Sequence, residues 1–94
     1  MLIGEWVVIR GKDSGVFFGR LKASVGMQAL VENCSTIWDW YGANTVQEIA
    51  NNGVEEQSNI SEPVSLEQIN DVIQILLATP KAVANLSRPR WRNS

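Results

Sequence analysis

Two apolar runs separated by five turn residues set the first constraint on this chain. Trp6-Val7-Val8-Ile9-Arg10 is short and β-branched, and Val16-Phe17-Phe18-Gly19-Arg20-Leu21-Lys22 follows it. Between them, Gly11-Lys12-Asp13-Ser14-Gly15 brackets polar residues with two glycines. β-branched and aromatic side chains fit a pleated strand, and glycine supplies the backbone freedom a reversal needs. The segment therefore predicts a β-hairpin. Gly19, inside the second strand, predicts a bulge or a close approach by another backbone or a ligand.

The pattern continues. Ala23-Ser24-Val25-Gly26 reads as a turn, Met27 to Asn33 as a third strand and Ser35 to Trp40 as a fourth. Four strands joined by short turns predict an antiparallel meander, which can leave one face wet. Thr45-Val46-Gln47-Glu48 fits a capping box, with Asn44 or Thr45 as the cap. It predicts a helix with Val46, Ile49 and Ala50 on its buried stripe and Gly53 at its end. Glu55 to Pro63 reads as a polar loop. Ser65 to Ala78 fits helical spacing and a β-rich run equally, and periodicity does not arbitrate. Thr79-Pro80 opens a second helix, as cap and first position, that buries Ala82, Val83 and Leu86 and stops at Pro89.

Ninety-four residues make one domain, 1–94, with a basic tail at 88–94. No apolar run approaches the roughly 18 residues of a membrane span, and the start lacks the basic-then-apolar order of a secretory signal. The single Cys34 cannot form an internal disulfide and points to a reducing cytoplasm. With no histidine and one cysteine, most metal sites, the serine triad and the Cys-His dyad are excluded, so composition favours a binding protein over an enzyme. The net charge of −2 divides unevenly. From Ala23 to Pro80 there are eight acids and no Lys or Arg, whereas the tail Arg88-Pro89-Arg90-Trp91-Arg92-Asn93-Ser94 has three arginines and no acid. A duplex-DNA binder needs a broad basic face, which is missing, but a local anion site is allowed.

Several residues could build such a site. Trp38 and Trp40 lie two apart, so on a strand they share a face, and flat rings held rigidly stack on a nucleotide base. Core packing or a contact between copies is the competing reading. Of Phe17 and Phe18, which point to opposite faces, at least one belongs in the core. Arg88, Arg90 and Arg92 alternate, so an extended tail sets their guanidinium forks on one side, where they match a phosphate. A frayed tail is the alternative, and Trp91 argues against it. Arg10 and Arg20 read more simply as surface charges. The helix start at Asn44-Thr45 offers N–H groups to an anion, although plain capping explains it as well.

The string Gly15-Val16-x-x-Gly19-x-Leu21, followed by Asn33-Cys34-x-x-Ile37-Trp38-x-Trp40-x-Gly42-Ala43-Asn44-Thr45-x-x-Glu48-Ile49-Ala50, resembles a family of small phage and prophage proteins. Val72-Ile73-Gln74-Ile75, Thr79-Pro80 and the late Trp91 extend the likeness over most of the chain. That family resembles in turn the Thoeris anti-defence sponges of the first type. The resemblance implies an antiparallel sheet combined with helices, so with the elements read above the expected fold is α+β, an antiparallel meander of about five strands with two short helices. It favours strand for Ile69 to Leu77. It implies homodimers or homohexamers in the cytoplasm of an infected bacterial host, which bind cyclic ADP-ribose isomers, and in some members cyclic oligonucleotides, without cleaving them. Ser35-Thr36 stand where basic residues are common and Asp39 where an aromatic is usual, which removes support for a phosphate contact from that strand.

The expected ligand-binding set is then Phe18, Arg20, Trp38, Trp40, Asn44, Thr45, Arg88, Arg90, Trp91 and Arg92, with Tyr41 as a further aromatic. No cofactor, metal, membrane or duplex nucleic acid is expected. Capturing a nanomolar signal requires about −12 kcal/mol, which small ligands reach in enclosed pockets. A chain this short has little interior to spare, so the pocket is expected between subunits. A phage accessory protein acting through protein–protein contacts is the second reading.

Overall fold

The computed structural model describes residues 2–91. It is an α+β domain with the strands β1 (Trp6–Gly11), β2 (Val16–Val25), β3 (Gln28–Trp38), β4 (Asn59–Ile60), β5 (Val64–Ile69) and β6 (Val72–Leu77). Two helices, α1 (Val46–Asn52) and α2 (Pro80–Leu86), complete it. All the strand pairs are antiparallel.

β1, β2 and β3 form the meander, with β6 on the free side of β1. The free side of β3 carries two short strands in tandem: β5 beside Ala29–Cys34 and β4 beside Ile37–Trp38. β5 and β6 thus lie on opposite edges of the three-stranded meander, yet only Asn70 and Asp71 separate them. Three Cα steps reach about 11 Å at most, so the sheet must curl until its edges approach. The closure is visible in two backbone bonds: Val72 N–H donates to Met27 O (2.9 Å) and Lys12 N–H to Asp71 O (2.8 Å).

Curling gives the sheet an inside and an outside, and both are packed. Val7, Ile9, Phe17, Leu21, Ala29, Val31, Cys34 and Ile69 fill the inside. Val8, Val16, Phe18 and Ile37 face outward and are covered by Ile49, Ala50, Ala82 and Leu86 of the helices. Because side chains alternate along a strand, covering both faces demands an unbroken apolar run, which Val7-Val8-Ile9 supplies. The wet face expected of the meander is absent along β1 for this reason.

The curl also explains where the expected boundaries move. The third and fourth strands are one, β3, which bends at Asn33, held at φ 49. The β2–β3 pairing shifts register opposite it, between Phe18 and Arg20. Gly19 occupies that step: a Cβ there would stand 2.8 Å from Glu32 O and 2.5 Å from Val31 Cγ1. β2 runs on to Val25, leaving Gly26, at φ 58, to make the turn. The expected loop 55–63 contains β4. The single strand expected from Ile69 to Leu77 is instead two strands broken at Asn70-Asp71, because each half serves a different edge.

Both helices begin as their caps dictate. Thr45 Oγ1 accepts from Glu48 N–H (3.2 Å), and Glu48 Oε2 accepts from Asn44 N–H (2.6 Å). Gly53, at φ 81, ends α1. Thr79 Oγ1 accepts from Ala82 N–H and donates to Asn51 O (2.7 Å), so one hydroxyl caps α2 and ties it to the end of α1. Among the described residues no helix is long and apolar enough to cross a membrane.

Candidate functional site

At the end of β1 the outer face runs past the cover of α1, and an open groove of about 650 Å³ begins there. Arg10 and Gln74 are register partners on β1 and β6, and Arg10 also pairs with Val16 on β2. Alternation keeps Arg10 on the face of Val8, so its side chain rises from the floor next to buried Val16 and Ile37.

One wall is aromatic. Trp38 closes β3 and is 40% exposed. Asp39 follows at φ 47, in the left-handed region, and turns the chain off the sheet. Trp40 is therefore not the next same-face residue of a strand. It leans on the outer core, and its indole N–H donates to Ala43 O (3.2 Å), which fixes the ring. Both tryptophans still line the groove, from the strand end and from the bend after it.

The opposite wall is the β1–β2 turn, with Lys12 and Asp13. It is held by one carboxylate from the residue before the neighbouring strand β6. Asp71 accepts from Asp13 N–H (2.8 Å), Ser14 N–H (2.9 Å) and the Ser14 hydroxyl (2.5 Å). These bonds, the Ser14 hydroxyl foremost, hold the Asp71 carboxyl below its ordinary range. Gly11 lies under the clamp, where a Cβ would come 2.7 Å from Asp71 Oδ1. The third wall is the start of α1, with Asn44, Thr45 and Gln47. The capping box engages the N–H groups of Asn44 and Glu48, and the helix start brings the side chains of Asn44, Thr45 and Gln47 to the groove.

Four of the ten residues expected at a ligand site thus meet in this groove: Trp38, Trp40, Asn44 and Thr45. The others lie elsewhere. Phe18 is 2% exposed and stacks on Trp6 with ring centroids 5.2 Å apart, so it is core. Arg20 is exposed further along β2, and its Nε donates to Gly4 O (2.9 Å). The described part of the tail is docked, on its own chain. Arg90 and Ile60 exchange backbone bonds (2.5 and 2.9 Å), which sets the tail beside β4.

The two tail arginines are engaged there. Arg88 forms a two-pronged pair with Glu56, which raises the Arg88 pKa and lowers that of Glu56. The Arg90 guanidinium is largely buried and donates to Asn85 O, Arg88 O, Val54 O and Asn85 Oδ1. Its Nε makes no hydrogen bond and lies 3.9 Å from Glu56 Oε2. Burial pushes the Arg90 pKa down. Trp91 is half-exposed beyond this clamp, and Arg92 lies outside the described residues. Tyr41 is also half-exposed.

The cations that do reach the groove are Arg10 and Lys12, accompanied by the acids Asp13 and Asp39. Arg10 is exposed, as a surface charge is expected to be, and it also lines the groove. Its same-face spacing from Val8 held the clue, but the groove also needs β6, which the sequence left ambiguous. Among the described residues no three His, Cys, Asp or Glu side chains gather as a metal site.

The fold and groove define a small α+β domain with a curled antiparallel sheet and one aromatic-walled cleft at its open end. The chain belongs to the family described as a domain of unknown function (DUF6948), whose model matches residues 4–86, the whole of the sheet and both helices. No curated protein and no solved structure matches it.

Proposed function

We propose that this protein is a non-enzymatic sponge, encoded by a phage, that holds a cyclic nucleotide immune signal in the Trp38/Trp40 groove. The observation that carries the reading is the convergence of two tryptophans with Arg10 and Lys12 around one cleft of about 650 Å³, within the range of small-molecule sites. A nucleotide presents a flat base, ribose hydroxyls and a phosphate. The indoles offer a stacking surface, Asp39 an acceptor for hydroxyls, and Arg10 and Lys12 positive charge for phosphate. Arg88 and Arg90, engaged with Glu56, Asn85 and Val54, are not part of this clamp.

Calorimetry of the full chain with cyclic ADP-ribose isomers and cyclic di- and trinucleotides tests the reading. Binding by one of them, weakened at least about tenfold in Trp38→Ala and in Arg10→Ala/Lys12→Ala, with intact ligand recovered after heat denaturation, supports it. Silence across the panel overturns it. Cleaved ligand would make the protein a hydrolase instead. A protein-contact role is the second reading, favoured by the exposed Val64, Leu66, Ile73 and Leu77 on β5 and β6.

A further inference from the structure

β6 is the last strand of the sheet, and among the described residues its one strand partner is β1. Its other edge is paired by no strand among the described residues, and at its start Val72 N–H donates to Met27 O. Proteins commonly guard such edges with charge, proline or a bulge. β5 carries Glu67, but Val72-Ile73-Gln74-Ile75-Leu76-Leu77 has no charge, proline or glycine. A single register shift lies near its start, between Arg10 and Gly11 on β1. Ile73 is 48% and Leu77 51% exposed, with Ile75 half-buried between them.

We propose that this edge pairs with the same edge of a second copy of the chain, β6 antiparallel to β6 about a two-fold axis. A self-paired strand avoids like-charge contacts only if it is uncharged, and β6 meets that condition. A register centred on Ile75 sets Ile73 opposite the second copy's Leu77, Ile75 opposite itself, and Leu77 opposite Ile73. Opposed residues of an antiparallel pair share a face, so the exposed apolar side chains cover one another. The sheet then continues across the seam, with both grooves opening on the same side of it. Gln74 belongs at once to the groove and to the seam. The pairing stands apart from the nucleotide reading.

Sedimentation and light scattering of the full chain between about 1 and 300 µM test it. A dimer is expected, with Ile73→Lys and Ile73→Lys/Leu77→Lys shifting its dissociation constant upward by at least about tenfold while circular dichroism stays that of the parent. Ile73→Lys alone guards against misfolding of the double variant, since the residue is half-exposed. In the parent, amide protection over 72–77 should rise with concentration. A monomer at every concentration overturns the proposal and leaves the edge to a different chain. A dimer that persists in a folded lysine variant overturns it too, because the contact then lies elsewhere.

Discussion

Replacing Phe18 by leucine separates a core ring from a ligand-facing one. Phe18 is 2% exposed and stacks on Trp6 at an interplanar angle of 17°. A stable domain of this length holds roughly 5–14 kcal/mol. Alanine would remove about 3–5 kcal/mol, enough to unfold a molecule at the lower end. Leucine keeps most of the apolar volume, so the loss reduces to the ring pair, about 0.5–1.5 kcal/mol, and imperfect fit, up to about 1.5 kcal/mol. A total of about 0.5–3 kcal/mol at 4–8 °C per kcal/mol lowers Tm by roughly 2–24 °C. Calorimetric melting measures this, with the parent and variant titrated in parallel with whichever cyclic nucleotide binds the parent. Phe18→Leu should melt lower and bind each folded molecule as the parent does. A variant with parental Tm and lost binding would place Phe18 on the ligand and refute the packing argument.

Asp71 and Glu56 are both held below the ordinary carboxylate range, Asp71 chiefly by the Ser14 hydroxyl and Glu56 chiefly by Arg88. A depressed pKa contributes stability that is present above the unfolded value and lost as pH falls through the folded one, so denaturant stability should drop from about pH 4 downward. Asp71→Asn should be less stable at neutral pH and show a flatter acid limb; an unchanged limb would dismiss the clamp. Burial first, then Glu67, pushes the Cys34 thiol up to about 12. Iodoacetamide at pH 8 should leave it unlabelled in the folded protein and label it in urea, and prompt labelling of the native state would contradict its burial.

What the sequence made legible was what local chemistry decides. The hairpin at Gly11–Gly15, the Thr45 and Thr79 caps and Gly53 as a stop depend on residues within a few positions of one another, and Gly19 marked a close approach without showing that Val31 and Glu32 make it. What it hid was closure. Val64–Ile69 and Val72–Leu77 serve opposite edges, and only the curl of the whole sheet distinguishes two strands from one strand or a helix. The merging of two expected strands into β3 has the same origin. Asn33 bends the strand without ending it, because β2 shifts register at Gly19 to follow.

The site divides along the same line. Trp38, Trp40, Asn44 and Thr45 are near in sequence, and the fold keeps them near in space. The arginines exchange roles because charge has no period. Arg88 and Arg90 look like an anion clamp only while their partners are unknown, and those partners, Glu56, Val54 and Asn85, come from a loop and a helix that pack together after folding. Arg10 looks like an ordinary surface charge until β6 arrives beside it with Gln74. A guanidinium whose donors are already paired contributes little attraction to a second anion, since binding one means breaking bonds to carbonyls that would then lie buried and unpaired. The cations with no such commitment on the aromatic-walled face, Arg10 and Lys12, are therefore where an anion's charge is best met. On the proposed reading, positive charge in this chain acts where the fold leaves its donors facing a cavity, as at Arg10 and Lys12, rather than at Arg88 and Arg90.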